Sequence, residues 1–276
     1  MSIPARRIAP WEVELVDTAS FAWRFLAEGD SWFSFGSFFG NSLLDALEFD
    51  RRTLIVQTAM PGDTLSRMAD WWKDLNFANL LGGAVATRFD AILLSGGGND
   101  LVHALSESLP GAGVLRLFTP AEPPPTAADC IDEAAWARFE TYLRANFGEI
   151  SRRVQASRVN RDAPVFIHTY DFATPREAGF GFGRGPWLCR AFEAHNIPRM
   201  RWVPLMDELL ARLRALLLDL GLPHLHVIDT LGTLQRADIT DTGETLHWVN
   251  EIHPSAEGYR LLARAWKREI ESVLPD

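Results

Sequence analysis

The sequence predicts an α/β fold, a parallel sheet with helices on both faces, and three observations carry that prediction. Five short apolar runs alternate with amphipathic helical patterns, the signature of repeated strand-helix-strand units. The run from Phe89 to Ser95 is apolar almost without interruption, as a parallel strand covered on both faces requires. Several runs, including those ahead of Ser31, Gly62 and Asn99, stop at polar or glycine-rich residues, and open parallel sheets hold their ligands beyond such strand ends.

Residues 1 to about 17 show no clear period and read as an irregular lead-in. Phe21 to Glu28 is the first strand, and it runs into the turn Gly29-Asp30-Ser31. Phe38 to Phe49 reads as a loop and a short helix. Thr53 to Ala59 is β-rich between Arg51-Arg52 and Pro61-Gly62, hence the second strand. Thr64 is placed to cap a helix through Leu65, Met68, Ala69 and Trp72. Phe89 to Ser95 is the third strand, and Gly111 to Asp129, with Pro123-Pro124-Pro125, is a surface excursion. From Ala134 to Ser157, Trp136, Phe139, Leu143, Phe147, Ile150 and Val154 recur at helical spacing. Pro164 to Asp171 is the fourth strand. The glycine-rich stretch 179–185 lacks the Gly-Lys-Ser/Thr ending of a phosphate loop and meets Pro186, so it reads as a mobile loop near a substrate mouth. Met206 to Leu220 is an apolar helix closed by Gly221 and Pro223, His224 to Thr230 the fifth strand, and Ser255 to Val273 the last helix.

Composition bounds the function. With 276 residues, 47% hydrophobic and 23% charged, the chain is sized for one domain spanning 1–276 with a substantial core. A net charge of −9 argues against nucleic acid or an anionic membrane surface as the main partner. No stretch reaches the length of a transmembrane segment and no basic, apolar leader opens the sequence, so the expected location is cytoplasmic. Cys130 and Cys189 make neither a disulfide framework nor a zinc motif, and His224 and His226 alternate on one strand without a third ligand, so strand packing is favoured. No metal and no cofactor is called for. Core packing accounts for Trp71, Trp72, Trp136 and Trp266, whereas Trp32 and Trp248 are better placed to line a pocket.

Four stretches in order carry the chemistry. They are Gly29-Asp30-Ser31, Ala59-Met60-Pro61-Gly62-Asp63, Ser95-Gly96-Gly97-Gly98-Asn99-Asp100 and Val249-Asn250-Glu251-Ile252-His253-Pro254-Ser255. Together they resemble the sequence blocks of the SGNH (GDSL-type) hydrolase family, with Ser31, Gly62, Asn99 and His253 at the four name-giving positions. The resemblance covers nearly the whole chain. It implies a three-layer α/β/α sandwich with a flavodoxin-like, five-stranded parallel sheet in the order 2-1-3-4-5. It further implies a carboxylic ester hydrolase acting on a small-molecule ester through a seryl acyl-enzyme. Ser31 would be the nucleophile and His253 the general base; the backbone N–H groups of Ser31 and Gly62 and the Asn99 amide would form the oxyanion hole. The residue types suit those tasks, since a serine hydroxyl needs a neutral imidazole to take its proton and a developing oxyanion needs uncharged donors. Asp30 and Asp100 are expected to hold the two loops.

One position departs from the pattern. Family members usually carry aspartate three residues before the histidine, and here the residue is Asn250. Three explanations follow: a Ser-His dyad oriented by Asn250 or a backbone carbonyl, another acid drawn from Glu251, Asp238 or Asp241, or loss of turnover. The dyad or weakened triad is favoured because Ser31, Gly62, Asn99 and His253 are all retained. Trp32, Asp171, Phe182 and Trp248 are candidate pocket residues, with Phe33, Phe35, Phe38, Phe39, Phe180 and Phe182 as a candidate acyl surface. The acyl group would be short, lipid-like or an acetyl. Two other functions stay open: an ester- or acyl-sugar-binding protein that has lost turnover, and an acyltransferase using the same acyl-enzyme.

Overall fold

In the computed structural model, which describes residues 2–34, 41–107, 112–180 and 183–274, a six-stranded parallel sheet is flanked by helices. The strands are β1 (Ile3–Pro4), β2 (Arg6–Ile8), β3 (Trp23–Gly29), β4 (Glu48–Phe49), β5 (Thr53–Gln57), β6 (Ala91–Ser95), β7 (Val165–His168) and β8 (Leu225–Ile228). The central sheet runs β2-β5-β3-β6-β7-β8, every pairing parallel. The five strands read from sequence therefore stand in the expected order 2-1-3-4-5, and the sixth is an addition at the edge.

That sixth strand corrects the reading of residues 1–17 as irregular. Arg6–Ile8 pairs with Leu54–Val56, while Ile3–Pro4 pairs antiparallel with Glu48–Phe49. A three-residue edge strand that begins with two arginines carries no two-faced apolar signal, and its ladder is set by the neighbour rather than by local pattern. The same pairing makes 48–49 a strand, not the end of a short helix.

The central strands are buried because helices cover them. Phe25, Leu26, Leu54, Ile55, Ile92, Leu93 and Phe166 have no exposed surface. The long helices are α5 (Glu133–Ala156), α7 (Arg199–Leu218) and α8 (Ala256–Val273), with shorter α1 (Ser31–Ser34), α2 (Leu65–Met68), α3 (Leu75–Gly82), α4 (Gly98–Ser106) and α6 (Leu188–Ala194). Asp132 and Ser255 cap α5 and α8, each accepting a backbone N–H in the first turn. The helix expected from Met206 begins at Arg199 and carries Pro204 inside it. Thr64 occupies the cap position of α2, but its hydroxyl meets the Ser66 hydroxyl and caps no backbone N–H; the Asp100 carboxylate accepts the Leu65 N–H instead. α2 also stops at Met68, so Trp72 is not core: it is 87% exposed, and Trp71 is half-buried under the Arg153 guanidinium. Trp136 and Trp266 are buried as expected. His226 stacks on Phe166 at 5.1 Å, and His224 precedes β8 with a positive φ. Among the described residues no helix is long and apolar enough to cross a membrane.

The closest approach in the sheet lies where β3 ends beside β6. A Cβ on Gly29 would stand 2.7 Å from the Ser95 carbonyl oxygen, so only glycine lets the chain turn here. Gly29→Ala is expected to cost roughly 1–3 kcal/mol through overpacking. A urea unfolding midpoint unchanged from the parent would contradict it.

Candidate active site

The turn after β3 is held by Asp30. Its backbone N–H donates to the Ser95 carbonyl at 3.0 Å. One carboxylate oxygen accepts the Trp32 N–H at 2.9 Å and the Ser95 hydroxyl at 2.8 Å, and the other accepts the Tyr170 hydroxyl at 2.6 Å. Burial pushes the Asp30 carboxyl up to about 6 against the pull of these bonds. Tyr170 adopts a positive φ of 61°, an outlier for a bulky side chain, and its ring lies where a Cβ on Gly98 would sit. This network fixes the first turn of α1, with Ser31 as its first residue.

Ser31 meets His253 across 222 positions of sequence. The Ser31 Oγ stands 2.8 Å from Nε2 of His253, and Nδ1 of the same ring stands 3.1 Å from Oδ1 of Asn250. That Oδ1 also accepts the backbone N–H groups of Ile252 and His253, each at 3.0 Å. Two backbone N–H groups donating to one atom identify it as the carbonyl oxygen of the amide, and an acceptor facing Nδ1 assigns the ring proton to that nitrogen. Nε2 is then the acceptor facing the serine hydroxyl. Burial lowers His253 to about 4. The Asn250 amide nitrogen, also buried, has no hydrogen-bond partner among the described residues.

The acids weighed as substitutes for aspartate do not face the imidazole. Glu251 is buried and turned the other way, its carboxylate accepting the backbone N–H groups of Arg176, Trp187, Leu188 and Cys189 at 2.5–3.0 Å. Burial pushes it up to about 7. Asp238 is taken by the Thr240 hydroxyl and N–H, and Asp241 accepts the Asp238 N–H.

Two residues that sequence reasoning missed hold the histidine loop. Arg176, buried with no exposed surface, donates to the carbonyls of Asp241, Gly243 and Asn250. Trp187 sets its ring edgewise to His253 at 5.7 Å. Neither carries a local signal, because their partners lie about 65 residues or more away along the chain. Trp32, expected in the pocket, lines a cavity beside Ser31 and also donates its indole N–H to the Ile252 carbonyl at 2.9 Å. Helix α1 and the histidine loop are thereby tied together.

The remaining candidates divide. Asn99 shares the cavity wall with Ser31, and its amide donates to the Asp63 carbonyl at 3.0 Å. Gly62 lies in the turn Met60–Asp63, with φ of 86°, and that turn is anchored by the Met60 N–H on the Gly29 carbonyl. Asp171 reaches the cavity wall, yet its carboxylate holds the N–H groups of Gly232 and Leu234 after β8. It therefore anchors that loop. Trp248 does not line the cavity: it is buried and donates to the Gln235 carbonyl, its size better spent on core contact with Trp32. Phe33 is likewise core, against Trp266 and His168. Phe182, Phe35, Phe38 and Phe39 lie outside the described residues.

Comparison with known proteins agrees with this architecture. An assigned GDSL-like lipase from Parabacteroides merdae ATCC 43184 superposes with a TM-score of 0.50 at 14% identity, over 90% of this chain and 95% of that one. The fold is that of a GDSL-type hydrolase. The native aryl esterase of M. smegmatis gives 0.48 at 18% identity, over 92% and 100%, and an acetyl xylan esterase variant from Geobacillus stearothermophilus gives 0.46 at 16%, over 90% and 94%. No family model and no curated protein matches the sequence.

The His253 environment makes a direct prediction for this GDSL-type fold. Nitrogen-15 NMR of the imidazole should find the proton on Nδ1 and a titration midpoint near 4. Asn250→Asp should raise that midpoint, since an adjacent carboxylate favours the imidazolium. A midpoint near that of a free histidine in the parent would contradict the geometry.

Proposed function

We propose that this chain is an SGNH-type serine hydrolase, its described residues forming one catalytic unit that cleaves a carboxylic ester through a seryl acyl-enzyme. The observation that carries the reading is the contact of 2.8 Å between Ser31 Oγ and an Nε2 whose tautomer is fixed from the far side of the ring by Asn250. The Ser31 hydroxyl attacks the ester carbonyl carbon while its proton passes to Nε2 of His253. The carbonyl oxygen, now negative, is received by the N–H groups of Ser31 and Gly62 and by the Asn99 amide. As the tetrahedral intermediate collapses, the C–O bond to the alcohol breaks and His253 returns the proton to that alcohol. Water, deprotonated by the same nitrogen, then hydrolyses the acyl-serine and restores both groups.

Asn250 supplies orientation without charge. Its carbonyl keeps Nδ1 as the donor, the task aspartate performs elsewhere, but it offers no anion to the imidazolium that forms after proton transfer. The substitution lowers the pKa of the base and weakens its drive, while keeping it unprotonated in mildly acid solution. A second reading, a binding protein without turnover, draws on the same residue: the buried, unpartnered Asn250 nitrogen marks a site not optimised for a charged state.

The test is hydrolysis of p-nitrophenyl acetate. Ser31→Ala should remove at least about a thousandfold of kcat. The acid limb of kcat/KM in the parent should fall near 4, the rate dropping as His253 takes up its proton below that pH. Asn250→Asp should raise turnover by about tenfold or more, given that the reverse change costs about four orders of magnitude in a serine protease, and should move the acid limb upward. Equal background rates in parent and Ser31→Ala would favour the binding protein; an Asn250→Asp variant that folds but is no faster would remove Asn250 from the triad position.

A further inference from the structure

A cavity of about 50 Å³ opens beside Ser31 and runs back between α4, α6 and α7. Ser31 and Asn99 line it together with the apolar side chains of Leu101, Leu188, Met206, Leu210 and Leu213. Met206, Leu210 and Leu213 stand at helical spacing on one face of α7, all buried. Asp30 and Asp171 also line it, but their carboxylates are engaged by protein donors, Asp30 by the Trp32 N–H and the Ser95 and Tyr170 hydroxyls and Asp171 by the Gly232 and Leu234 N–H groups, so the apolar side chains are the part of the wall left for a ligand.

We propose that this cavity is the acyl site and that it selects esters of short, unbranched aliphatic acids, with Met206, Leu210 and Leu213 setting its depth. The inference rests on the seryl esterase reading and adds the substrate class to it. The leaving alcohol must lie against His253, which protonates it, and His253 is not among the residues lining the cavity. The cavity lies instead beside Ser31 and Asn99, so an acyl carbon bonded to Ser31 Oγ with its oxygen toward Asn99 directs its chain inward. At about 10–15 Å³ for each water-sized occupant, the space admits about three to five heavy atoms. An acetyl to butyryl chain fills it. A longer chain would have to displace close-packed leucines, and a sugar acid would leave hydroxyls unpaired against them. Of the phenylalanines singled out in the sequence, Phe33 faces the core, and Leu and Met side chains from α4, α6 and α7 line the cavity.

The experiment is kcat/KM for p-nitrophenyl acetate, butyrate, octanoate and laurate, measured on the parent, Ser31→Ala, Met206→Ala and Val102→Phe, each checked for folding by circular dichroism. The parent should prefer acetate or butyrate, with octanoate lower by about a hundredfold or more. Met206→Ala deepens the cavity and should recover octanoate by about tenfold relative to butyrate. Val102→Phe, at a half-buried position on the cavity wall, should narrow the preference to acetate. If Met206→Ala does not fold, the rim variant alone carries the test. A parent optimum at octanoate or laurate overturns the assignment while leaving the esterase intact, as does a profile that folded variants leave unmoved. Absence of any Ser31-dependent turnover across the series overturns the esterase reading and this inference with it.

Discussion

A single amide oxygen governs the geometry around His253. Oδ1 of Asn250 accepts from the imidazole and from two successive backbone N–H groups, so the ring cannot rotate without breaking a bond and the loop cannot relax without losing two more. The imidazole is buried, and burial alone would favour its neutral form without choosing a tautomer. Asn250 makes the choice. With the proton on Nδ1, Nε2 faces the Ser31 hydroxyl as an acceptor.

The loop is in turn held from behind by two buried ionisable side chains. Arg176 donates to the Asn250 carbonyl and to the 241–243 backbone, and Glu251 collects four backbone N–H groups from the segments before and within α6. A buried carboxylate is costly in isolation, and hydrogen bonds to the charged form offset that cost. The arrangement spends two ionisable groups on loop position. On the opposite side, Asp30 with Ser95 and Tyr170 fixes the Ser31 turn, and the Trp32 indole bridges the two halves through the Ile252 carbonyl.

Much of this architecture was legible in the residues. The five central strands could be read because strands buried on both faces must be apolar along their length, and the parallel order followed from the resemblance of the four blocks. Ser31, Asn250 and His253, each singled out in a short block at a strand or helix boundary, come within hydrogen-bond distance of one another in a chain. Arg176, Trp187 and Tyr170 could not, since their roles come from contacts across about 65 residues or more, for which a sequence has no local mark. Trp248 and Phe33 misled for a related reason: an aromatic next to a catalytic block has the same composition whether it faces the pocket or the core. The edge strand at Arg6 and the early start of α7 ahead of Pro204 were set by neighbours against local preference.

The central claim is that Ser31 is made nucleophilic by His253 despite the neutral residue behind it. The most direct measurement is intact-mass and peptide mapping of the protein after reaction with a fluorophosphonate, beside Ser31→Ala and His253→Ala. One phosphonyl group per chain, on Ser31, slowed strongly in His253→Ala and absent in Ser31→Ala, is the predicted result. No adduct on the folded parent, or an adduct that forms equally fast without His253, would contradict the account.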